Sequence, residues 1–584
     1  ISADQGKDVL LNIEDARGGN FNDTLIGTDS GNSLYGKDGD DSLAGGGGND
    51  FLAGSQGNDT LAGNALGDFV EVSYEDAKVG AIINLTNVIH AGVAAHTAQD
   101  GLGGTDVLIN IQGALGGDFG DQFFGADNVD DFFEPMGGND TADGGGGTGF
   151  DEVDFFSSAD AVTASLALQG GPQTISGSQG IDVYTGFEGL DGSAFNDTLI
   201  GDNNSNFLQG RAGADSLQGG DGDDRLRGGA GNDTLDGGFG FDQVDYFAAA
   251  AGVHVDLSKQ GIAQVISKDQ GSDTLLNFED ARGSGFNDTL IGNSDSNNLF
   301  GIDGNDSLNG GDGFDFLVGG KGNDTLNGGP AGDFDEVSYF DSTNPVIANL
   351  SSVVHQGVAP GTVQDGTGGT DRLINIGDIL GGQGNDTMYG GAASEIFEAS
   401  GGNDSIDGGG GFNVLDYFNS SDGVVVDLTK EGQAQPISAS QGTDTFVNIS
   451  GVYGSTFNDT IIGNNADNIA FGRDGNDRFA VAGSGVVITQ QDVFDKFYSI
   501  EEIDLTGTGN NSLAISAQDV LQTSETGQML VLGNAGDSVT SIGQGWNKGA
   551  DQMIEGQTYH TYTSSQPGTT VTLLVDNDIT QTIT

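Results

Sequence analysis

"GGNFNDTLIGTDSGNSLYGKDGDDSLAGGGGNDFLAGSQGNDTLA", residues 18–62, reads as five consecutive nine-residue repeats, each opening on Gly and carrying Leu at its eighth place: Leu25, Leu34, Leu43, Leu52 and Leu61. The sixth place is always Asp or Asn: Asp23, Asn32, Asp41, Asp50 and Asp59. In a repeat of the form G-G-x-G-x-D-x-U-x, the glycines reach the backbone angles of a tight turn, and x-U-x is a short strand with one inward aliphatic side chain. Two repeats then make one coil of about 18 residues with a turn on each side. Alternate repeats share a side, so Asp23, Asp41 and Asp59 stack on one side and Asn32 and Asp50 on the other.

Carboxylates stacked at the strand spacing of about 4.8 Å repel one another. The whole chain has the same difficulty, with 87 acidic against 17 basic side chains and a formal net charge of -70. Its 105 glycines and 35% hydrophobic residues do not describe an ordinary globular core. Without a counter-charge such a composition stays unfolded. Nucleic acid and anionic membranes are poor partners for this field, and cations are good ones. A hard cation between successive turns converts repulsion into bonding. Calcium suits the place, because it accepts six to eight oxygen ligands in flexible geometry, whereas magnesium demands a stricter octahedron.

The pattern is repeated along the chain. "FNDTLIG" occurs at 21–27, 195–201 and 286–292, and "FNDTIIG" at 457–463, each opening a block of nonapeptides; degenerate blocks begin near Gly116 and Gly381. On a larger scale, "GKDVLLNIEDARGGNFNDTLIG" from Gly6 returns as "GSDTLLNFEDARGSGFNDTLIG" from Gly271. The match continues through "EVSY" at 71 and 336 and "LINI" at 108 and 373. This divides the chain into a first copy (1–201), a middle roll segment (202–270), a second copy (271–482) and a C-terminal domain (483–584).

A Gly/Asp-rich tract is more often a flexible linker, but a linker has no reason to keep an aliphatic residue in phase over five or six repeats. Full matches such as "GGAGNDTLD" (228–236) and "GGKGNDTLN" (319–327) resemble the RTX-type calcium-binding nonapeptide-repeat proteins. That resemblance implies an all-β fold: a right-handed parallel β-roll or β-solenoid with calcium ions in its turns. It also implies that the sixth-position acids are metal ligands: Asp23, Asp41, Asp50, Asp59, Asp197, Asp215, Asp224, Asp233, Asp242, Asp288, Asp306, Asp315, Asp324, Asp386, Asp404, Asp459 and Asp477. The third-position acids Asp38, Asp221, Asp303, Asp312 and Asp474 would add to the same turns. The second repeat of each full block has Asn instead (Asn32, Asn206, Asn297, Asn468), whose neutral carbonyl binds more weakly or completes a neighbour's site. Phe21, Phe195, Phe286 and Phe457 replace a turn glycine at the start of each block and read as plugs against the preceding coil.

Between the blocks, "VTASL" (162–166), "VHVDL" (253–257), "VVVDL" (424–428) and "VIANL" (346–350) have strand character and are expected to act as longer coils, with separate rolls joined by small β-domains as the competing picture. A terminal coil must present a different face to water, so a β-rich cap is expected over 483–584. This segment is similar to the C-terminal part of large secreted bacterial RTX-type surface proteins, which implies one-step (type I) export on an uncleaved C-terminal signal. The chain contains no Cys, which fits an exported protein. It has no apolar run of membrane-spanning length, and a segment preceding Ile1 is expected.

No enzyme is expected. His90, His96, His254, His355 and His560 never form H-E-x-x-H, and neither G-x-S-x-G nor a nucleophilic Cys occurs. The duplication also leaves no long unrepeated stretch for a catalytic domain. The overall plan is similar to that of the oscillin-like surface-fibril glycoproteins of cyanobacteria. The expected function is a calcium-rigidified, secreted structural protein that self-associates into filaments or sheets of a cell-surface layer. The alternative is a calcium-binding accessory module of a secreted polysaccharide-acting protein, with cell-surface carbohydrate as the partner.

Overall fold

The structure is a computed structural model that describes residues 13–64, 68–330, 334–464, 468–566 and 569–584; the opening of the first copy, residues 1–12, lies outside them. The chain divides into two compact units, Ile1–Gly285 and Phe286–Thr584. Both are almost entirely β, built from strands that are mostly three residues long.

The repeat dictates this shape directly. In a three-residue x-U-x strand only the middle side chain points inward. Strand partners within a block lie 18 residues apart, as in Ser33↔Phe51 and Thr198↔Ser216, so two nonapeptides make one coil. The inward residues then form two facing ladders, with Leu190, Leu208, Leu226 and Val244 on one sheet and Leu199, Leu217, Leu235 and Leu275 on the other, all fully buried. Burying each of these leucines contributes about 2 kcal/mol, which makes the ladders the main apolar term in the fold.

In the N-terminal unit one sheet runs without interruption, strand on parallel strand, from Asp15–Arg17 through Val70–Ser73, Gly113–Leu115 and Gly189–Asp191 to Asp280–Arg282. In the C-terminal unit the equivalent sheet runs from Asn298–Phe300 to Phe497–Tyr498. The stretches between blocks are longer coils of these rolls. Such an insert sends a strand forward, as Thr163–Ser165 does onto Thr198–Ile200, and a later strand back onto the last repeat, as Gly180–Thr185 does onto Thr141–Asp143. A third strand packs antiparallel between them. In three of these inserts a glutamine amide does the work of a missing ladder rung: Gln173, Gln264 and Gln435 accept from the N–H and donate to the C=O of Ser165, Asp256 and Asp427 at 2.8–3.2 Å.

Beyond Val481 the parallel ladder continues through Glu502–Asp504 and Gln528–Leu532 to Thr569–Asp576. There it meets the antiparallel strand Gln557–Gln566, which covers the edge. Two short helices, Gln490–Lys496 and Ala517–Thr523, start on capping boxes made by Thr489 with Asp492 and Ser516 with Asp519. Trp546 is buried and donates its indole N–H to Ser541 Oγ at 2.7 Å.

The reading of four phenylalanines as plugs is overturned. Phe21 is 83% exposed, and Phe195, Phe286 and Phe457 are 44–48% exposed. Their position explains why they are tolerated. A Cβ on Gly39, Gly213, Gly304 or Gly475 would stand within 2.6 Å of the backbone of Phe21, Phe195, Phe286 or Phe457, one coil earlier. Later turns therefore need glycine, while the first nonapeptide turn of a block has no such turn before it and accepts a side chain.

Gly322 shows how strict the later turns are. Its φ is +147°, and an added Cβ would lie 1.4 Å from Gly304 O; at Gly19 the nearest atom is 3.6 Å away. Gly322→Ala is expected to lower stability by about 2 kcal/mol or more, and Gly19→Ala by a few tenths, in urea unfolding at saturating calcium.

Candidate metal centre

The sixth-position residues form continuous columns along the turns. Asp41 Oδ1 accepts the backbone N–H of Asp23 at 2.7 Å, and Asp59 Oδ1 that of Asp41 at 2.7 Å. The same bond links Asp197, Asp215 and Asp233, then Asp288, Asp306 and Asp324, then Asp386 and Asp404, then Asp459 and Asp477, at 2.7–2.9 Å. On the opposite side it links Asn32 to Asp50, Asn206 to Asp224 to Asp242, and Asn297 to Asp315. One carboxylate oxygen of each interior acid therefore satisfies the backbone of the coil before it.

The other oxygen separates the acids into two groups. In Asp41, Asp50, Asp59, Asp215, Asp224, Asp233, Asp242, Asp306, Asp324, Asp404 and Asp477, Oδ2 is buried with no hydrogen-bond partner. In most of these repeats it points at the first glycine, where a Cβ would come within 2.5 Å of it, as at Gly36 and Asp41 or Gly219 and Asp224. In the first acid of a column Oδ2 is partnered instead. Asp23, Asp197, Asp386 and Asp459 accept with Oδ2 from the N–H four residues earlier at 2.5–2.7 Å.

The asparagines fill this same first place on the other side. Asn32, Asn206, Asn297 and Asn468 accept with Oδ1 from the N–H four residues earlier at 2.6–3.0 Å. Nδ2 of Asn32, Asn206 and Asn468 donates to the carbonyls of Glu14, Glu188 and Ser450. An aspartate there would repel those carbonyls, so the amide is required by hydrogen bonding.

The third-position acids Asp38, Asp221, Asp303, Asp312 and Asp474 are exposed and stand outside the columns, and Asp303 pairs with Lys321 at 3.0 Å. Sequence reasoning missed other members. Asp121, Asp140 and Asp182 form a column through the degenerate block. Asp106, Asp182, Asp273, Asp371 and Asp444, on the strands returning from the inserts, each end a column by accepting the N–H of its last acid at 2.9–3.0 Å. The signal was the short G-x-D in "GGTD", "QGID", "QGSD", "GGTD" and "QGTD", which lacks the rest of the nonapeptide. Glu188 and Glu279 close columns in the same way on the other side, and Glu501 closes the column of Asp459 and Asp477.

Burial of carboxylates without partners costs several kcal/mol each unless something binds them. Burial, reinforced by neighbouring acids, lifts Asp215, Asp306 and Asp477 to about 8 and Asp404 to about 9. A hard cation fits this chemistry: oxygen-only donors, repeated negative charge, and carbonyl-rich turns. Among the described residues no single point is ringed by three His, Cys, Asp or Glu side chains. The acids of the turns would therefore supply only part of a calcium shell of six to eight oxygens, with backbone carbonyls left to supply the rest.

The family described as RTX calcium-binding nonapeptide repeat (4 copies) matches residues 17–52, 35–70, 191–217, 209–244, 279–301, 300–334, 380–415 and 452–482. No curated protein matches the chain significantly. Among the described residues no helix is long and apolar enough to cross a membrane.

Two outcomes are expected. Without calcium the raised carboxyls bind protons more tightly in the folded chain than in the unfolded one. That stabilisation is complete below the unfolded value of about 4 and is lost as pH rises through about 8. In EGTA, circular dichroism should show the β signal lost at pH 8 and regained toward pH 5, while calcium affinity falls over the same acidification because protons compete for the ligands. Secondly, Asp224→Asn keeps the Oδ1 acceptor but removes the charge. It should raise the calcium midpoint of folding about tenfold, whereas Asp197→Asn, at the head of a column, should shift it less than about twofold. Calcium titrations followed by circular dichroism check both variants.

Proposed function

We propose that this chain, an RTX calcium-binding nonapeptide-repeat protein, is a secreted structural protein that folds on meeting extracellular calcium and self-associates into a cell-surface layer or fibrils. RTX repeat proteins are typically secreted. Outside the cell, calcium at about 10⁻³ M is within reach of modest sites, so folding and export are coupled through the metal.

The observation that carries the reading is the set of aromatic side chains standing out of an acidic roll. Phe21, Phe239, Phe241 and Phe314 project from or beside the turns at 64–83% exposure. Val88 with Ile89, and Val353 with Val354, are exposed in matching inserts of the two copies. Large exposed apolar side chains on a soluble chain mark interaction surfaces, and here uncompensated charge is what holds like molecules apart. Calcium in the turns lowers that charge and leaves the apolar groups in place. Lysine and proline, which normally blunt exposed β edges, are scarce in this sequence. The reading assigns no catalytic chemistry to the chain.

Millimolar calcium is expected to drive ordered association of the purified chain into filaments or sheets, reversed by chelation. Light scattering and electron microscopy across a calcium titration check it. A chain that folds yet stays monomeric at saturating calcium and high concentration removes the structural reading and favours the accessory-module one.

A further inference from the structure

The acids that end the columns on the returning strands are of two kinds. At Asp182, Asp273 and Asp444 a fully buried tyrosine hydroxyl donates to the second carboxylate oxygen: Tyr184 at 2.6 Å, Tyr246 at 2.8 Å and Tyr417 at 3.4 Å. At Asp106 and Asp371 the corresponding tyrosines are Tyr74 and Tyr339, both buried, and no hydrogen bond of standard geometry reaches either hydroxyl or the Oδ2 of either acid. These two ends, and not the other three, bring in another aspartate six residues upstream, Asp100 in "QDGLGGTD" and Asp365 in "QDGTGGTD".

Asp100 is 1% exposed. Its Oδ1 accepts the N–H groups of Leu102, Gly103 and Gly104, all at 2.8 Å, and its Oδ2 has no partner. Asp365 Oδ1 accepts from Thr367, Gly368 and Gly369 at 2.8–3.0 Å, and its Oδ2 accepts from Thr367 Oγ1 at 2.6 Å. The last nonapeptide acids, Asp59 and Asp324, also present a buried Oδ2 without a partner. Gly104 and Gly369 show that these oxygens share a space. A Cβ on Gly104 would stand 1.5 Å from Gly57 O and 2.6 Å from Asp100 Oδ2; on Gly369, 1.6 Å from Gly322 O and 2.5 Å from Asp365 Oδ2. A carbonyl of the last nonapeptide turn and a carboxylate of the returning turn thus face the same point.

We infer that the returning turns 100–106 and 365–371 each complete a calcium site that lies outside the nonapeptide repeats. Asp59, Asp100 and Asp106 with the Gly57 carbonyl form one, and Asp324, Asp365 and Asp371 with the Gly322 carbonyl form the other. The carboxylates of each set repel one another and do not ring a single point as placed. A cation draws such groups together, and calcium's variable coordination tolerates an irregular set of carboxylates and carbonyls that magnesium would refuse. The inference depends on calcium binding by the adjoining repeats and is independent of self-assembly.

The test is the calcium content of the full chain, by elemental analysis after equilibration in buffered calcium. Asp100→Asn and Asp365→Asn keep the Oδ1 acceptor and remove the charge. Each is expected to lose one ion per chain and the double variant two, with the β signal in calcium retained. An unchanged ion count in the folded double variant overturns the inference. If the double variant does not fold, terbium emission excited through tyrosine decides. Replacing the neighbouring aromatics, as Tyr74→Phe with Tyr339→Phe, should reduce sensitised emission from terbium-loaded protein, and unchanged emission overturns the sites.

Discussion

One carboxylate with two jobs holds the fold together. Interior aspartates such as Asp59, Asp233 and Asp324 give Oδ1 to the backbone of the preceding coil and leave Oδ2 buried and partnerless in their own turn. The first job is register, because the bond fixes a spacing of 18 residues between coils. The second is a charge that the protein does not neutralise. Leucine ladders supply apolar burial, but columns of buried acids oppose it, and a burial term of about 2 kcal/mol per leucine does not outweigh many uncompensated carboxylates. Compact structure in this chain is therefore expected to depend on solution conditions, with protons relieving the acids at low pH and a hard cation relieving them at neutral pH.

The same logic orders the glycines and asparagines. Coils approach closely enough that the fourth-position glycine of one turn touches the carbonyl of the turn before it, as Gly231 does with Gly213. This closeness lets one aspartate reach across to the preceding coil's amide. Asparagine stands where a column begins on the second side, because that place needs both an acceptor for its own turn and a donor to a carbonyl. Charge is concentrated in the interior of the columns, and neutral or fully hydrogen-bonded groups sit at their heads.

Much of this was legible in the sequence. The phase of Leu25, Leu34 and Leu43 gave the coil, and the alternation of Asp23, Asn32 and Asp41 gave the two sides of the roll. The inserts were legible as strands of longer coils, but the acids with which they end the columns were not. The returning turn keeps only G-x-D of the nonapeptide, so Asp106 or Asp273 resembles any acid in an acidic chain until its strand is seen on the last coil. The exposed phenylalanines misled for a related reason. Replacement of a turn glycine suggested a side chain packed against the coil before it, whereas the tolerance arises from the absence of an earlier nonapeptide turn.

Tyr184 shows that the end of a column is under chemical constraint. Four inserts are preceded by Tyr74, Tyr246, Tyr339 or Tyr417, while the fifth has Phe155 at that place. In that insert alone the position two residues after the terminal acid, occupied by Leu108, Leu275, Leu373 and Phe446 elsewhere, is Tyr184. The two rings meet edge to face at 6.0 Å, and the Tyr184 hydroxyl reaches Asp182 from the other side. Packing alone would be satisfied by two phenylalanines. The exchange preserves the hydroxyl and relocates everything else, so a tyrosine hydroxyl in one of these two places is what the five inserts have in common. A buried acid at the end of a column has no further coil beyond it to share a cation, and a neutral donor is the remaining way to satisfy its second oxygen. Where that donor is withheld, at Tyr74 and Tyr339, the fold brings up a third carboxylate and a carbonyl, the response expected if the column extends by one more ion.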